Sequence, residues 1–174
     1  MQFDVTPDVF TADFTGEPGA RTFYLQAQGS SGVHSFLLEK QQVAILAEKL
    51  QEMLLMIDEN DTIKSAPPQR DPALALTEPV EAEWRIGTIG LLYDEGRDIV
   101  VIVLQEATAD EEEEDEDDDE SGYRFFLRRD QVRALILHAL AAVGEGRPLC
   151  QLCGLPMDPG GHVCPASNGH RPSG

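Results

Sequence analysis

The C-terminal segment carries the residues with the most specific chemistry in this sequence. Cys150 and Cys153 form a CxxC pair with Gly154 directly after it, and His162 and Cys164 follow. Three thiolates and one imidazole make a closed tetrahedral shell that suits zinc. We therefore predict one structural Zn²⁺ bound by Cys150, Cys153, His162 and Cys164. Four protein ligands leave no open position on the metal for catalysis.

Several alternatives to this assignment remain open. His170 competes with His162 for the fourth position, although His162 gives the more compact loop with Cys164. Free thiols and a redox CxxC pair are further alternatives, but a redox pair usually lies in a βαβ unit, which this segment lacks. A nucleic-acid-binding zinc ribbon is disfavoured because no basic recognition helix follows the cysteines.

The net charge excludes several classes of partner. The chain has 174 residues with 32 acidic and 13 basic side chains, a formal charge of −19, and 41% hydrophobic residues. Phosphate would be repelled, so we expect neither nucleic acid nor a membrane as partner. The sequence shows no signal-like or membrane-spanning stretch, and its three cysteines form no disulfide framework. We therefore expect a cytoplasmic location.

More than half of the charge surplus lies in residues 110–120, an unbroken run of eleven acidic side chains. Without these eleven charges the formal charge is −8 instead of −19. Adjacent acids repel one another, so we interpret the run as a solvated loop in preference to a docking segment. A calcium loop is disfavoured because such loops space their ligands around a glycine.

Hydrophobic periodicity predicts two amphipathic helices, each preceded by three strands. The helices are expected at residues 41–60 and 130–143, the second with Asp130 as N-cap and Gly144 as stop signal. The strands are expected at residues 9–14, 21–27, 33–38, 84–93, 98–104 and 122–127. Residues 36–43 also align with 125–132 at a constant offset, and Phe14 aligns with Tyr93 at a smaller one.

These matches predict an α+β fold with an internal duplication, two β-β-β-α modules with an antiparallel sheet, plus a C-terminal zinc knuckle. The predicted parts are a first module at 1–60, a proline-rich surface linker at 61–82, a second module at 83–146 with an acidic hairpin insertion at 110–120, and the zinc-binding tail at 147–174. Coincidental similarity and two separate lobes are the alternatives.

Other side chains have weaker signals. His34 alternates with apolar residues on a predicted strand, so we expect it to be partly buried and structural. His138 lies off the apolar stripe of the second helix and is expected to be exposed, whereas Trp84 is expected in the core. Arg21, Arg124 and Arg128 are candidates for contacting an anion.

Three stretches closely resemble the DUF3090 family of uncharacterised, mainly actinobacterial proteins. They are residues 16–27, residues 38–48, and the cysteine-rich segment 150–169. The resemblance implies no established reaction, and it suggests a shared pathway with histidine-phosphatase-like and phosphoinositide-kinase-like proteins. The family tail commonly has an aromatic residue where this chain has His170, which favours His162 as the ligand.

The sequence thus favours a non-catalytic protein-interaction or adaptor module with a structural zinc and an unknown protein partner. The alternative is an enzyme or a binder of small anionic ligands, with its site in the groove between the two modules. Arg21, Arg124 and Arg128 would then contact the anion, with His34 nearby. A closed core with an exposed apolar patch would favour the first hypothesis.

We expect a variant lacking residues 110–120 to keep both its fold and its zinc. The run lies at a predicted hairpin tip, where changes in loop length have a small entropic cost of about 0.6 kcal/mol per doubling. Thermal unfolding and elemental analysis of the purified variant measure the two properties. Loss of either would contradict the predicted position of the run.

Overall fold

A computed structural model describes residues 2–17, 19–107 and 122–144. The acidic run and the four predicted zinc ligands lie outside these residues. Within the described residues, the regular structure consists of seven strands, two α-helices and two short 3-10 helices at Thr62–Lys64 and Pro72–Leu74. The strands and α-helices are β1 (Gln2–Val5), β2 (Val9–Thr15), β3 (Thr22–Gly29), β4 (Gly32–Leu38), α1 (Lys40–Ile57), β5 (Ala82–Asp94), β6 (Ile99–Glu106), β7 (Gly122–Leu127) and α2 (Arg129–Gly144).

The strands of both halves join one sheet in the order β1-β7-β6-β5-β4-β3-β2. The α+β class is confirmed, but the expectation of a purely antiparallel sheet is wrong, because β1 pairs with β7 and β4 pairs with β5 in parallel. A parallel pair needs a crossover connection, and here α1 and residues 58–81 carry the chain from β4 to β5. β6 and β7 are antiparallel neighbours, so the acidic run connects their adjoining ends.

The two edge strands of this order, β1 and β2, are consecutive in the chain. Only residues 6–8 separate them, and a connection from Val5 to Val9 reaches at most about 14 Å. The two edges of the sheet must therefore approach each other, and the sheet curls around its apolar face. β1 was absent from the strands predicted from sequence, because its four residues are too few for a clear periodic pattern, and three of them are exposed.

β5 pairs with strands of both halves, as the segment formed by β1 and β2 does. Its first residues pair with β4, and after a register shift at Ile86 the strand pairs with β6. Gly87 lies at this shift, where an added Cβ would come 2.6 Å from the Cα of Ala107. The bulge thus requires a glycine, and it allows one long strand to join both halves of the sheet.

A glutamine in the first turn of each helix hydrogen-bonds to the backbone where a neighbouring strand is interrupted. These interruptions are the bulge in β5 and the connection between β1 and β2. The Gln42 side chain accepts the Glu39 N–H and donates to the Ile86 carbonyl, at 2.8 and 3.5 Å. In α2, Gln131 accepts the Arg128 N–H and donates to the Pro7 carbonyl, at 2.9 and 3.1 Å.

Asp130 was expected as the N-cap of α2, but it lies inside the first turn and its carboxylate pairs with Arg128.

The apolar face of the curled sheet and the helix stripes form one core. Phe10, Phe36 and Phe125 are almost fully buried, and the Trp84 ring lies 4.7 Å from that of Phe36. Trp84, which was expected in the core, is partly buried and packs against it. No described helix combines the length and the apolar character that crossing a bilayer requires.

Residues 61–77, called the strap here, cross the polar face of β2 and β3. Most residues of this predicted surface linker are exposed, but Ile63 and Leu74 are buried and attach the segment to the rest of the protein. The Thr11 hydroxyl donates to the Leu74 carbonyl at 2.6 Å, and the Gln26 side chain forms two hydrogen bonds with the backbone of Thr77. The prolines and the absence of hydrophobic periodicity predicted a loop here. They gave no sign of its ordered position, because its hydrogen-bond partners lie far away in the chain.

A buried ionic cluster fixes the strap between β2 and α2. The carboxylate of Asp13 accepts hydrogen bonds from Arg70 at 2.9 and 3.1 Å, from the Phe14 N–H, and from Nε2 of His138 at 2.8 Å. The Nδ1 atom of His138 accepts the Asp71 N–H, so the ring carries its proton on Nε2. The expected exposure of His138 is therefore wrong: its residue is only 1% exposed, because the strap covers it.

We expect Asp13→Ala to lower the free energy of unfolding by about 3 kcal/mol, because it leaves Arg70 and His138 without their shared acceptor. Urea unfolding measures this loss, and faster trypsin cleavage after Arg70 reports release of the strap. Asp94→Ala, which removes the exposed ion pair with Arg97, is the matched control and should change the midpoint little. An unchanged midpoint for Asp13→Ala would contradict the proposed dependence on this cluster.

Candidate functional site

The predicted zinc ligands Cys150, Cys153, His162 and Cys164 lie outside the described residues, as does His170. Within the described part of the chain, no group of three or more His, Cys, Asp or Glu side chains is arranged to hold a metal ion. The zinc site in the tail therefore stays a prediction.

The three arginines considered for anion contact each have a local partner. Arg124 donates twice to Asp4, both at 2.8 Å, and these hydrogen bonds lower the pKa of the Asp4 carboxyl. Arg128 pairs with Asp130, and the Arg21 guanidinium lies 4.1 Å from the centre of the Phe14 ring. Each of the three arginines contacts a different neighbour, so the structure does not bring them together into the expected anion site.

His34 lies in a network of polar side chains at the end of β4. Its Nδ1 atom is 2.8 Å from a Glu83 oxygen, and the Tyr123 hydroxyl donates to the other oxygen at 2.6 Å. The Ser31 hydroxyl is 3.3 Å from Nε2 on the opposite side of the ring. The His34 side chain is 19% exposed, which confirms the partial burial expected from sequence.

The partners of His34 were not recognisable from the sequence. Glu83 and Tyr123 lie 49 and 89 residues away in the chain, and strand pairing across the two halves brings them together. Burial, together with the hydrogen bond to Glu83, raises the pKa of Tyr123 above its ordinary value. The hydroxyl is therefore protonated at neutral pH and acts as a donor to Glu83.

A second feature, called the open groove here, runs along one flank of α1 beside β5. Two adjoining cavities share Lys49 and Leu91 and form this groove. Its apolar walls include Met56, which is 84% exposed, and Ile45, which is 52% exposed. These residues lie beside the core stripe of the helix, and their apolar character was the only signal of the groove in the sequence.

The corresponding flank of α2 is covered by the strap. The Gln69 N–H donates to the Leu137 carbonyl at 3.1 Å, and strap residues line a cavity together with Ala134 and Leu137. At the offset of the matched stretches, Ala134 takes the place of Ile45 and His138 that of Lys49. Two similar helix flanks thus differ in whether a described segment lies along them.

Comparisons with known proteins give one result that bears on identity. Residues 1–164 match the family described as "Protein of unknown function (DUF3090)", which confirms the resemblance noted in the sequence. Neither the curated proteins nor the solved structures contain a match to this chain. Because the match covers nearly the whole sequence, the chain belongs to the DUF3090 family.

Proposed function

We propose that this protein is a cytoplasmic protein-interaction module that binds a proline-containing peptide of a partner protein in the open groove, with a structural zinc in its tail. The proposal depends on one observation: α1 presents an apolar groove in which Met56 and Ile45 are exposed, next to a closed core. Exposed apolar surface of this kind marks interaction sites, and methionine side chains adapt to varied ligands.

The strap indicates which kind of segment suits such a groove. It is a proline-containing segment with short 3-10 helices at Thr62–Lys64 and Pro72–Leu74, which donates a backbone hydrogen bond to α2 and buries Leu74 beside β2. Its prolines restrict the free chain and so lower the entropic cost of binding. We therefore assign to the open groove a partner peptide with the same character, proline-containing and with a large apolar side chain.

Charge complementarity defines the partner further. On the α2 flank, the strap supplies Arg70 to a buried carboxylate, that of Asp13. On the α1 flank, the position that corresponds to Asp13 is Leu92, and Lys49 stands where α2 has His138. Lys49 already contacts Glu52 at 3.8 Å, but this pair is exposed and weak. An acidic side chain of a peptide in the open groove would compete with Glu52 for Lys49, so we propose a peptide residue opposite in sign to Arg70 at this point.

The proposal includes an internal duplication as the origin of the two flanks. Each half runs through three strands into a helix, and Gln42 and Gln131 make the same two kinds of hydrogen bond. Each half also contributes a strand segment to the other: β1 pairs with β7, and the start of β5 pairs with β4. A second copy of one module would produce this repeated pattern, in which a described segment lies along one of the two flanks.

The zinc proposal is supported by the donor set in the tail and by the extent of the family match. That match ends at Cys164, so it contains His162 and leaves out His170. The net charge of −1 on three thiolates and Zn²⁺ could be offset by Arg147 and Arg171, which flank the motif. The site would stabilise a segment that has too few apolar residues for a core of its own.

We expect a synthetic peptide with the sequence of residues 66–77, but with glutamate in place of Arg70, to bind the full-length protein in the open groove. Amide and methyl NMR shifts at Ile45, Met56 and Leu91 would locate the binding, and a titration would give Kd. The unchanged peptide should bind about tenfold more weakly, since its arginine faces Lys49.

Protein variants separate docking in the groove from nonspecific apolar binding. Ile45→Lys combined with Met56→Lys should weaken binding of the glutamate peptide by about tenfold or more. Val33→Lys changes an equally exposed apolar residue on β4, and it should leave binding unchanged. Equal effects of the two changes, or shifts confined to other surfaces, would overturn the proposed site.

We expect one tightly bound zinc per chain in protein purified without added metal, measured by elemental analysis. Cys150→Ser combined with Cys153→Ser should abolish it, since two thiolate ligands are lost. His162→Ala should release the metal and His170→Ala should not. Retention of zinc by the double cysteine variant would refute the ligand set, and the opposite pattern for the histidines would exchange their roles.

A further inference from the structure

We propose that Ser31, His34 and Glu83 form an acyl-transfer site in which Ser31 is the nucleophile for small carboxylic esters. The three side chains stand in the order nucleophile, base and acid, joined by contacts of 3.3 and 2.8 Å. None of them lines the open groove, so this site is independent of the proposed peptide docking.

The turn between β3 and β4 presents the nucleophile. Ser30 and Ser31 connect Gly29 and Gly32, which form the last pair of the two antiparallel strands. Gly32 has a φ of +107°, a conformation that L side chains rarely adopt, so the glycine permits this tight turn. The Ser31 hydroxyl is consequently exposed to an incoming molecule while it remains beside the His34 ring.

The hydrogen bonds around Glu83 determine which nitrogen of His34 can act as the base. Tyr123 donates to one oxygen of Glu83, and the other oxygen remains to accept the Nδ1–H of His34. The proton of a neutral ring then lies on Nδ1, and Nε2 is free to accept the Ser31 O–H. This is the protonation pattern that general-base activation of a hydroxyl requires.

The aromatic core fixes Tyr123 and, through it, Glu83. The Tyr123 ring lies 5.0 Å from Phe36 and 5.2 Å from Phe3, and the residue is 7% exposed. Tyr123 and Glu83 are positioning residues, since neither touches the reacting atoms. Oriented in this way, the His34–Glu83 pair lies beside an exposed hydroxyl, which is the arrangement that activation of a serine nucleophile requires.

The proposed reaction balances with water as the second substrate. Ser31 Oγ forms a bond to the ester carbonyl carbon, its proton passes to Nε2 of His34, and the alcohol leaves with that proton. Water then attacks the acyl-serine, His34 takes the proton and returns it to Oγ, and the carboxylic acid departs. The Ser31 N–H lies in the turn, outside the strand ladder, and can donate to the carbonyl oxygen.

The test measures covalent labelling of the full-length protein by an alkyl fluorophosphonate. In this probe reaction Ser31 Oγ binds phosphorus, fluoride leaves, and the proton passes to His34. Mass spectrometry should locate the label on Ser31, and hydrolysis of p-nitrophenyl acetate should be lost after labelling. Ser30→Ala is the matched control in the same turn, and it should keep the wild-type labelling rate.

Two further variants test the base and its positioning. His34→Gln should slow labelling by about 100-fold, the size of a general-base contribution, with an unchanged thermal midpoint that shows the fold is kept. Tyr123→Phe should slow the covalent step and leave probe binding unchanged, because Glu83 loses the hydrogen bond that holds it towards Nδ1 of His34. Labelling rates over a series of probe concentrations separate the two constants.

Equal labelling of Ser30 and Ser31 would overturn the proposal, and so would labelling that is unaffected by His34→Gln. Absence of labelling beyond that of urea-unfolded protein would overturn it as well, and would leave the cluster as a hydrogen-bonded turn. Labelling of Ser31 that depends on His34, with the effect of Tyr123→Phe confined to the rate of the covalent step, would establish the site.

Discussion

The buried carboxylate of Asp13 is the group on which most of this arrangement depends. Removing an ionised carboxylate from water costs several kcal/mol unless other groups bind it, and here Arg70, His138 and a backbone N–H all donate to it. Those donors come from the strap, from α2 and from β2 itself, so satisfying one charge fixes three parts of the chain relative to one another. The burial of His138 and the order of the strap both follow from this requirement.

The exchange of strand segments gives the sheet its continuity. β1 pairs with the last strand of the second half, and the start of β5 pairs with the last strand of the first. Each exchange needs a break in a strand, and in both cases the carbonyls at the break accept a hydrogen bond from a glutamine at the start of a helix. The halves therefore share one core, in which Phe36 and Phe125 lie 6.0 Å apart.

The two helix flanks differ, and this difference determines which apolar side chains are exposed. One helix flank is covered by the strap because β2 carries Asp13, whereas the other has Leu92 at the corresponding place and presents its apolar side chains to solvent. The polar network around His34 depends on strand exchange as well, since the pairing of β4 with β5 brings Glu83 towards it. The open groove and the network around His34 thus arise from one topology, at separate surfaces.

The sequence by itself determined the helices, six of the seven described strands and the position of Trp84, because hydrophobic periodicity and turn residues act over a few neighbours. Tertiary structure alone decided the parallel pairings, the burial of His138, the order of the strap and the partners of His34. Each of these depends on groups far apart in the chain, such as Asp13 with His138 or His34 with Tyr123. A local sequence pattern does not indicate which distant donor will bind a buried acceptor. Sequence analysis therefore placed His34 correctly as half-buried, but only the fold joined it to Glu83 and Ser31.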